Sequence, residues 1–174
     1  SNAIFFSKTL TKLEENTPIT SLLMLATAIK NEEFNKAKLL LNEPNKFNLF
    51  LEAILTGWLE IGSGNIEKGL KYFSESENAK KLGSISQNHL ALALAMVGDF
   101  EKAHAILSDA TNGSNLIDRG SVIAHAQIMT QIGKNQEAVK LLDKFLIGND
   151  DLEIFKLRRL IDAGAPVKYN YIPN

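Results

Sequence analysis

The sequence predicts an all-α protein, a stack of about four helical hairpins closed by a C-terminal helix, and two observations carry that reading. The first is a turn pattern: Gly98-Asp99-Phe100-Glu101-Lys102-Ala103 recurs as Glu32-Glu33-Phe34-Asn35-Lys36-Ala37, Gly64-Asn65-Ile66-Glu67-Lys68-Gly69 and Gly133-Lys134-Asn135-Gln136-Glu137-Ala138. The small residue closing each copy stands at 37, 69, 103 and 138, intervals of 32, 34 and 35 residues, which is the spacing of arrays built from helix–turn–helix units. The second is Leu90-Ala91-Leu92-Ala93-Leu94-Ala95-Met96-Val97, apolar on every side, as expected of a helix pressed between neighbours.

Each element follows in order. Ser1-Asn2-Ala3 (residues 1–3) reads as a scar of tag removal and is set aside. Residues 4–16 carry an amphipathic stripe, Phe6, Leu10 and Leu13, predicting the second helix of a truncated repeat. The repeat domain spans 17–163, with repeats at about 17–43, 45–76, 84–110 and 118–147 and a cap at 150–163. In the first repeat Pro18 suits a first helical position, and Ile19 to Lys30 is followed by Glu33 to Leu41. The second pairs Phe47 to Ile61 with Asn65 to Phe73. Ser74 to Gly83, of mixed charge, reads as a solvated helix end and linker, and Ser84-Ile85-Ser86-Gln87 has capping-box spacing. In the third repeat Gly98 ends the apolar helix and Asp99 is placed to cap the next, whose buried stripe is Phe100, Ala103, Ile106 and Leu107. The fourth pairs Ser121 to Ile132 with Asn135 to Leu146.

Asp150 and Glu153 suit the start of the closing helix, and Gly164 with Pro166 marks its end. Lys156, Arg158 and Arg159 give this helix the polar surface expected of a terminal cap. Residues 164–174 form an extended tail in which Tyr169, Tyr171 and Ile172 offer apolar surface. Two readings stand for it: a segment that a helical groove accepts from its own chain or a neighbour, and a terminus that frays.

Composition narrows the partners. Hydrophobic residues make up 45% of the chain, enough for a continuous core and too many for a disordered tail. With 19 basic and 20 acidic residues the net charge is −1, so nothing draws the chain generally to nucleic acid or anionic membranes. The absence of cysteine excludes disulfides, thiolate metal sites and cysteine nucleophiles. No apolar run approaches the roughly 18 residues of a membrane span. The start carries no signal peptide, but a scar stands in place of the natural beginning, so cytoplasm and periplasm remain equally open.

The repeats resemble the tetratricopeptide repeat (TPR) from about Ile19 to Ala163. Gly57, Ala91 and Ala126 lie 12 residues before Gly69, Ala103 and Ala138, matching the small residues that the family places where paired helices cross; Leu25 departs from the pattern. The large apolar residue four positions after the second small site is present as Leu41, Phe73, Leu107 and Leu142. The proline that often closes such repeats is missing, and Gly69 replaces alanine. Among related helical repeats, the period disfavours Sel1-like units and the modest basic content disfavours RNA-reading pentatricopeptide arrays.

The resemblance implies a right-handed α-solenoid, a fragment of a longer bacterial repeat protein, whose first helices line a concave groove. Its groove-facing residues would be Leu22, Ala26, Ile29 and Lys30, then Ile54, Trp58 and Ile61, then Asn88, Leu92, Ala95 and Met96, and lastly Ile123, Gln127, Thr130 and Gln131. Such a surface, apolar at one end and amide-rich at the other, suits a peptide or a neighbouring helix. Family members that clamp a terminal carboxylate use several basic and asparagine residues; here only Lys30 and Asn88 qualify, so that activity is not expected.

Residues that suggest chemistry have simpler readings. Trp58, the only tryptophan, is either a groove anchor or packing against the adjacent repeat. His89, His104 and His125 form no HExxH pair; His89 and His125 fall on equivalent helices of adjacent repeats. Gly62-Ser63-Gly64-Asn65 resembles a phosphate loop, yet no strand precedes it and a repeat turn falls there. No nucleophile stands with a base and an orienting group. The expectation is therefore a noncatalytic protein–protein interaction scaffold without cofactor or metal, binding a protein or peptide. The alternatives are a self-associating or spacer module, and an accessory domain of a larger enzyme or cell-envelope assembly protein.

Overall fold

A computed structural model describes residues 18–43, 49–113 and 118–169. The stripe at Phe6, Leu10 and Leu13, and Tyr171 and Ile172 in the tail, lie outside the described residues. Among the described residues there are ten helices and no strand. They are α1 (Pro18–Lys30), α2 (Phe34–Leu41), α3 (Leu49–Gly62), α4 (Ile66–Glu75), α5 (Glu77–Leu82), α6 (Ser84–Met96), α7 (Phe100–Gly113), α8 (Arg119–Gln131), α9 (Asn135–Leu146) and α10 (Leu152–Asp162). Chain neighbours pack together: α1 with α2, α2 with α3, α3 with α4, and, further on, α7 with α8, α8 with α9 and α9 with α10. The chain divides into two compact units at Ser86/Gln87, inside α6.

The recurring sequence pattern is a recurring backbone turn. Glu32, Gly64, Gly98 and Gly133 all have left-handed backbone, with φ of 59°, 84°, 87° and 76°. At each, the next residue's N–H reaches back to the carbonyl five positions earlier: Glu33 to Ala28 at 2.8 Å, and Asn65 to Glu60, Asp99 to Leu94 and Lys134 to Met129 at 2.9 Å. The left-handed residue itself donates to the carbonyl three before it, as Gly64 does to Ile61 at 2.9 Å. This is the Schellman arrangement, which satisfies the last carbonyls of one helix and points the chain into the next. Glycine takes the conformation without a Cβ penalty; Glu32 is the only copy that adopts it with a side chain. Asp99 also caps α7, its carboxylate accepting from the Lys102 N–H at 3.4 Å.

In the first unit the close crossing of α3 and α4 depends on two glycines. A Cβ at Gly69 would stand 2.7 Å from the Gly57 carbonyl oxygen and 2.5 Å from Ile61 Cγ1; one at Gly57 would meet the Phe73 ring at 2.4 Å. Phe73 fills that space and is 1% exposed. In the α1–α2 pair Leu25 takes the place of a small residue and is buried with Ala28, Ala37, Leu40, Leu41 and Leu59. In the second unit Ala91, Ala103, Ala126 and Ala138 are fully buried. Val122, Ala126 and Met129 of α8 join Ala138, Val139 and Leu142 of α9 and Ile154 and Ile161 of α10 in one core, and Val167 of the tail packs on it.

Several local expectations are corrected. The stretch read as a linker contains α5, capped by Ser76, whose hydroxyl accepts from the Ala79 N–H at 3.0 Å, with Ala79 buried beneath. Ser84 is already helical rather than a cap, and Ser86 is buried, donating to the Phe73 carbonyl at 3.0 Å. The cap of α10 is Asp151, not Asp150: its carboxylate accepts from Glu153 and Ile154 N–H groups, both at 3.0 Å. Nor is α10 simply polar. Arg158 is paired with Asp143 at 2.9 Å and Asp162 at 2.8 Å, while Leu152, Phe155 and Leu160 are exposed.

The chain closes α10 with the same turn. Gly164 has φ 69°, and Gly164 and Ala165 donate to Ile161 and Leu160, both at 3.0 Å. Five residues after the left-handed position of each of the four earlier repeat turns stands a small residue; five after Gly164 stands Tyr169. A phenol ring cannot enter so close a crossing, and 165–169 is not helical.

Gly69→Ala is expected to lower stability by roughly 1–3 kcal/mol because the added methyl meets a backbone oxygen that cannot swing aside. Ala103→Leu is expected to fall in the same range. Thermal or urea unfolding checks both; melting at the wild-type temperature would contradict the crossing geometry.

Candidate functional site

Two stripes in the second unit hold the polar groups least explained by packing. On α6, Asn88, Leu92 and Met96 follow at four-residue steps and so share a face; on α8, Ile123, Gln127 and Gln131 do the same. Asn88 Nδ2 lies 3.5 Å from Ser121 Oγ, and Ser121 sits at the start of α8, where Asp118 caps the helix by accepting from the Ser121 N–H at 3.0 Å. Thr130 turns its hydroxyl onto the Gln127 carbonyl at 2.7 Å. Met96 and Gln131 are exposed, while Ile123, Gln127 and Thr130 are half-buried. Asn88 Oδ1 and Gln127 Oε1 are buried acceptors with no hydrogen-bond partner among the described residues. Such atoms carry a desolvation cost until a donor reaches them. Leu92 and Ala95, expected to face a groove, are buried at 5% and 2% exposure, because α6 is covered on that side as well.

An extended segment lies against these stripes. From Ala165 to Tyr169 burial alternates, with 165, 167 and 169 half-buried and Pro166 and Lys168 exposed, as expected when one face of an extended chain rests on a surface. Gln131 Nε2 donates to the Val167 carbonyl at 2.6 Å. Tyr169 directs its hydroxyl to the Leu92 carbonyl at 3.4 Å, and its ring meets Phe100 edge-on at 6.0 Å between centroids.

The predicted residues of the first unit are placed differently. Leu22, Ala26 and Lys30 of α1 are exposed, and Ile29 packs on the core. Ile54, Trp58 and Ile61 of α3 are half-buried. The Trp58 ring meets Phe73 edge-on at 5.6 Å, and Ile61 lies over Gly69. Beside them Glu60, 6% exposed, bridges three elements: it accepts from Lys38 of α2 at 2.8 Å, Lys68 of α4 at 2.7 Å and Asn65 at 2.9 Å. Hydrogen bonds from Lys38 and Lys68 hold its carboxyl down at about 2 against the opposing effect of burial. Sequence reading missed this group, since its members stand 22 and 8 residues apart. The Gly62–Asn65 segment is the repeat turn, with Ser63 Oγ donating to the Leu59 carbonyl at 2.6 Å.

The histidine pair that the structure brings together is His104 with His125. His104 Nδ1 and His125 Nε2 are 3.0 Å apart, and Lys134 Nζ is 2.8 Å from His104 Nε2. An ammonium donates only, so His104 Nε2 accepts, its Nδ1–H donates to His125 Nε2, and the remaining proton on His125 Nδ1 has no acceptor among the described residues. Ser108 Oγ lies 3.3 Å from His104 Nδ1. Burial, then the charges of His104 and Lys134, push His125 down to about 4. His104 is lowered by burial and by Lys134, opposed by Glu137 and Glu101. The signal available in the sequence was adjacency: His104 follows Ala103 and His125 precedes Ala126, and small residues draw their neighbours together. Among the described residues no three or more His, Asp or Glu side chains converge at metal-ligand spacing, and no helix is long and apolar enough to cross a membrane.

Comparison with protein-family models, curated proteins and solved structures found no match.

The buried imidazoles set a pH dependence. His125 binds its proton less readily folded than unfolded, so its contribution is complete above about 6.5 and is lost as pH falls towards about 4. Unfolding free energy at pH 5 is expected to be about 2 kcal/mol below that at pH 7.5, with a smaller difference in His125→Phe. An unchanged difference in that variant would contradict the assignment.

Proposed function

We propose that this chain is a noncatalytic interaction scaffold of the tetratricopeptide kind, a right-handed α-solenoid, whose α6 and α8 stripes bind an extended segment of another protein. The observation that supports it is the seating of residues 165–169. The same surface accommodates backbone through an amide-to-carbonyl bond, an apolar side chain through the core edge and a phenol through a carbonyl and a ring. Extended-segment recognition combines main-chain hydrogen bonds with recesses for alternate side chains. Residue types match the role: Gln127, Gln131 and Asn88 supply neutral amides, and Met96 and Ile123 supply apolar contact.

A second reading, self-association, draws on α10, where Leu152, Phe155 and Leu160 are 66%, 48% and 50% exposed. Copies joined through that helix would show a concentration-dependent mass in light scattering.

Photo-crosslinking separates binding at the stripes from binding elsewhere. A benzophenone side chain at Met96 or Gln131 is expected to capture a protein partner in native lysate, and one at the exposed Lys140 or Lys144 of α9 to give at most a tenth of that yield. Equal adducts at all four positions would contradict the assignment of the binding face.

A further inference from the structure

We infer that residues 165–169 are a displaceable resident of the α6 and α8 stripes, holding the face until a partner segment of related but better-matched chemistry takes it. The inference rests on the proposed function and names both the regulation of that site and the chemistry of its ligand. It follows from how the tail is held. After the Gly164 turn, Pro166 and Tyr169 occupy the positions where earlier repeats place a helix start and a small crossing residue. Proline is tolerated at a helix start, but the Tyr169 ring does not fit the crossing, and residues 165–169 run across the surface without helix. Tethering makes weak contacts sufficient there, since a short connection gives an effective concentration on the order of millimolar.

The contacts leave polar groups of the face unused. The Tyr169 hydroxyl is 3.4 Å from the Leu92 carbonyl, beyond the usual range for O–H···O bonds. Pro166 brings no N–H to the face, and Gln127 Oε1 and Asn88 Oδ1 have no donor among the described residues. An incoming segment that repeats the Val167 and Tyr169 pattern, an apolar residue and an aromatic two positions later, and that carries a free main-chain N–H in place of Pro166, would keep the resident's contacts and bring a donor that the resident lacks. The ligand chemistry is therefore an extended, proline-free, uncharged-to-apolar protein segment with that spacing.

The test uses the full chain and a fluorescein-labelled peptide with the sequence of residues 164–174, read by fluorescence anisotropy. A full chain carrying Val167→Asp with Tyr169→Ala is expected to bind this probe at least tenfold more tightly than wild type, because its own tail no longer competes. Tyr169→Ala alone, which trims one half-buried ring, is expected to gain about threefold and serves if the double variant fails to fold by circular dichroism. Adding Gln131→Ala to either should weaken the probe again, and replacing its proline by alanine should tighten it. Equal affinity for wild-type and tail-variant chains, or no binding to either, would overturn the inference. Crosslinking of a partner at Met96 and Gln131 with a yield indifferent to the tail variants would overturn it while leaving the scaffold reading intact. A tenfold gain in probe affinity without any crosslinked partner would do the reverse.

Discussion

The left-handed turn and the small residue five positions later impose the order on which everything else in this chain depends. The turn uses one backbone conformation to satisfy two carbonyls at the end of a helix, and it thereby fixes the direction in which the next helix leaves. The small residue then decides whether that helix can close against the previous one: at Gly69 a single carbon atom would overlap the Gly57 carbonyl. Where both conditions hold, helices pair. After Gly164 only the first holds, and Tyr169 in the small position leaves an extended chain that finds its contacts on α6, α7 and α8 instead.

Buried polar groups divide into those the fold satisfies and those it leaves open. Glu60 is the first kind: two ammonium groups and an amide share its oxygens, which repays its desolvation and joins α2, α3 and α4. The imidazole pair is intermediate, since the chain from Lys134 through His104 ends at an unpaired His125 Nδ1. Gln127 Oε1 and Asn88 Oδ1 are the second kind, and they lie on the face that already holds a backbone carbonyl at Gln131. Unpaired acceptors cost stability inside a protein until a donor reaches them.

The repeat turns were legible in the sequence because their causes are local. Gly98, Gly64 and Gly133 mark left-handed turns, Asp99 marks a cap, and the 12-residue spacing of Gly57 and Gly69 marks a crossing. Helix α5 was not, since Glu77 to Leu82 is short and its charges resemble those of a linker; the buried Ala79 that anchors it is an ordinary residue. The shift of the α10 cap from Asp150 to Asp151 turns on one residue of backbone geometry. The pairing of His104 with His125 and the bridging of Glu60 depend on which helices become neighbours. The tail was legible only as two alternatives, because an extended segment has no internal hydrogen bonds to signal itself and its position is decided by the surface it meets.

Nuclear Overhauser contacts in solution address the central claim, that an extended segment occupies the α6 and α8 face, most directly. The account predicts cross-peaks between the Tyr169 and Phe100 rings, and between the Val167 methyls and core side chains of α8 or α9. Random-coil shifts for residues 165–169 without those cross-peaks would contradict it.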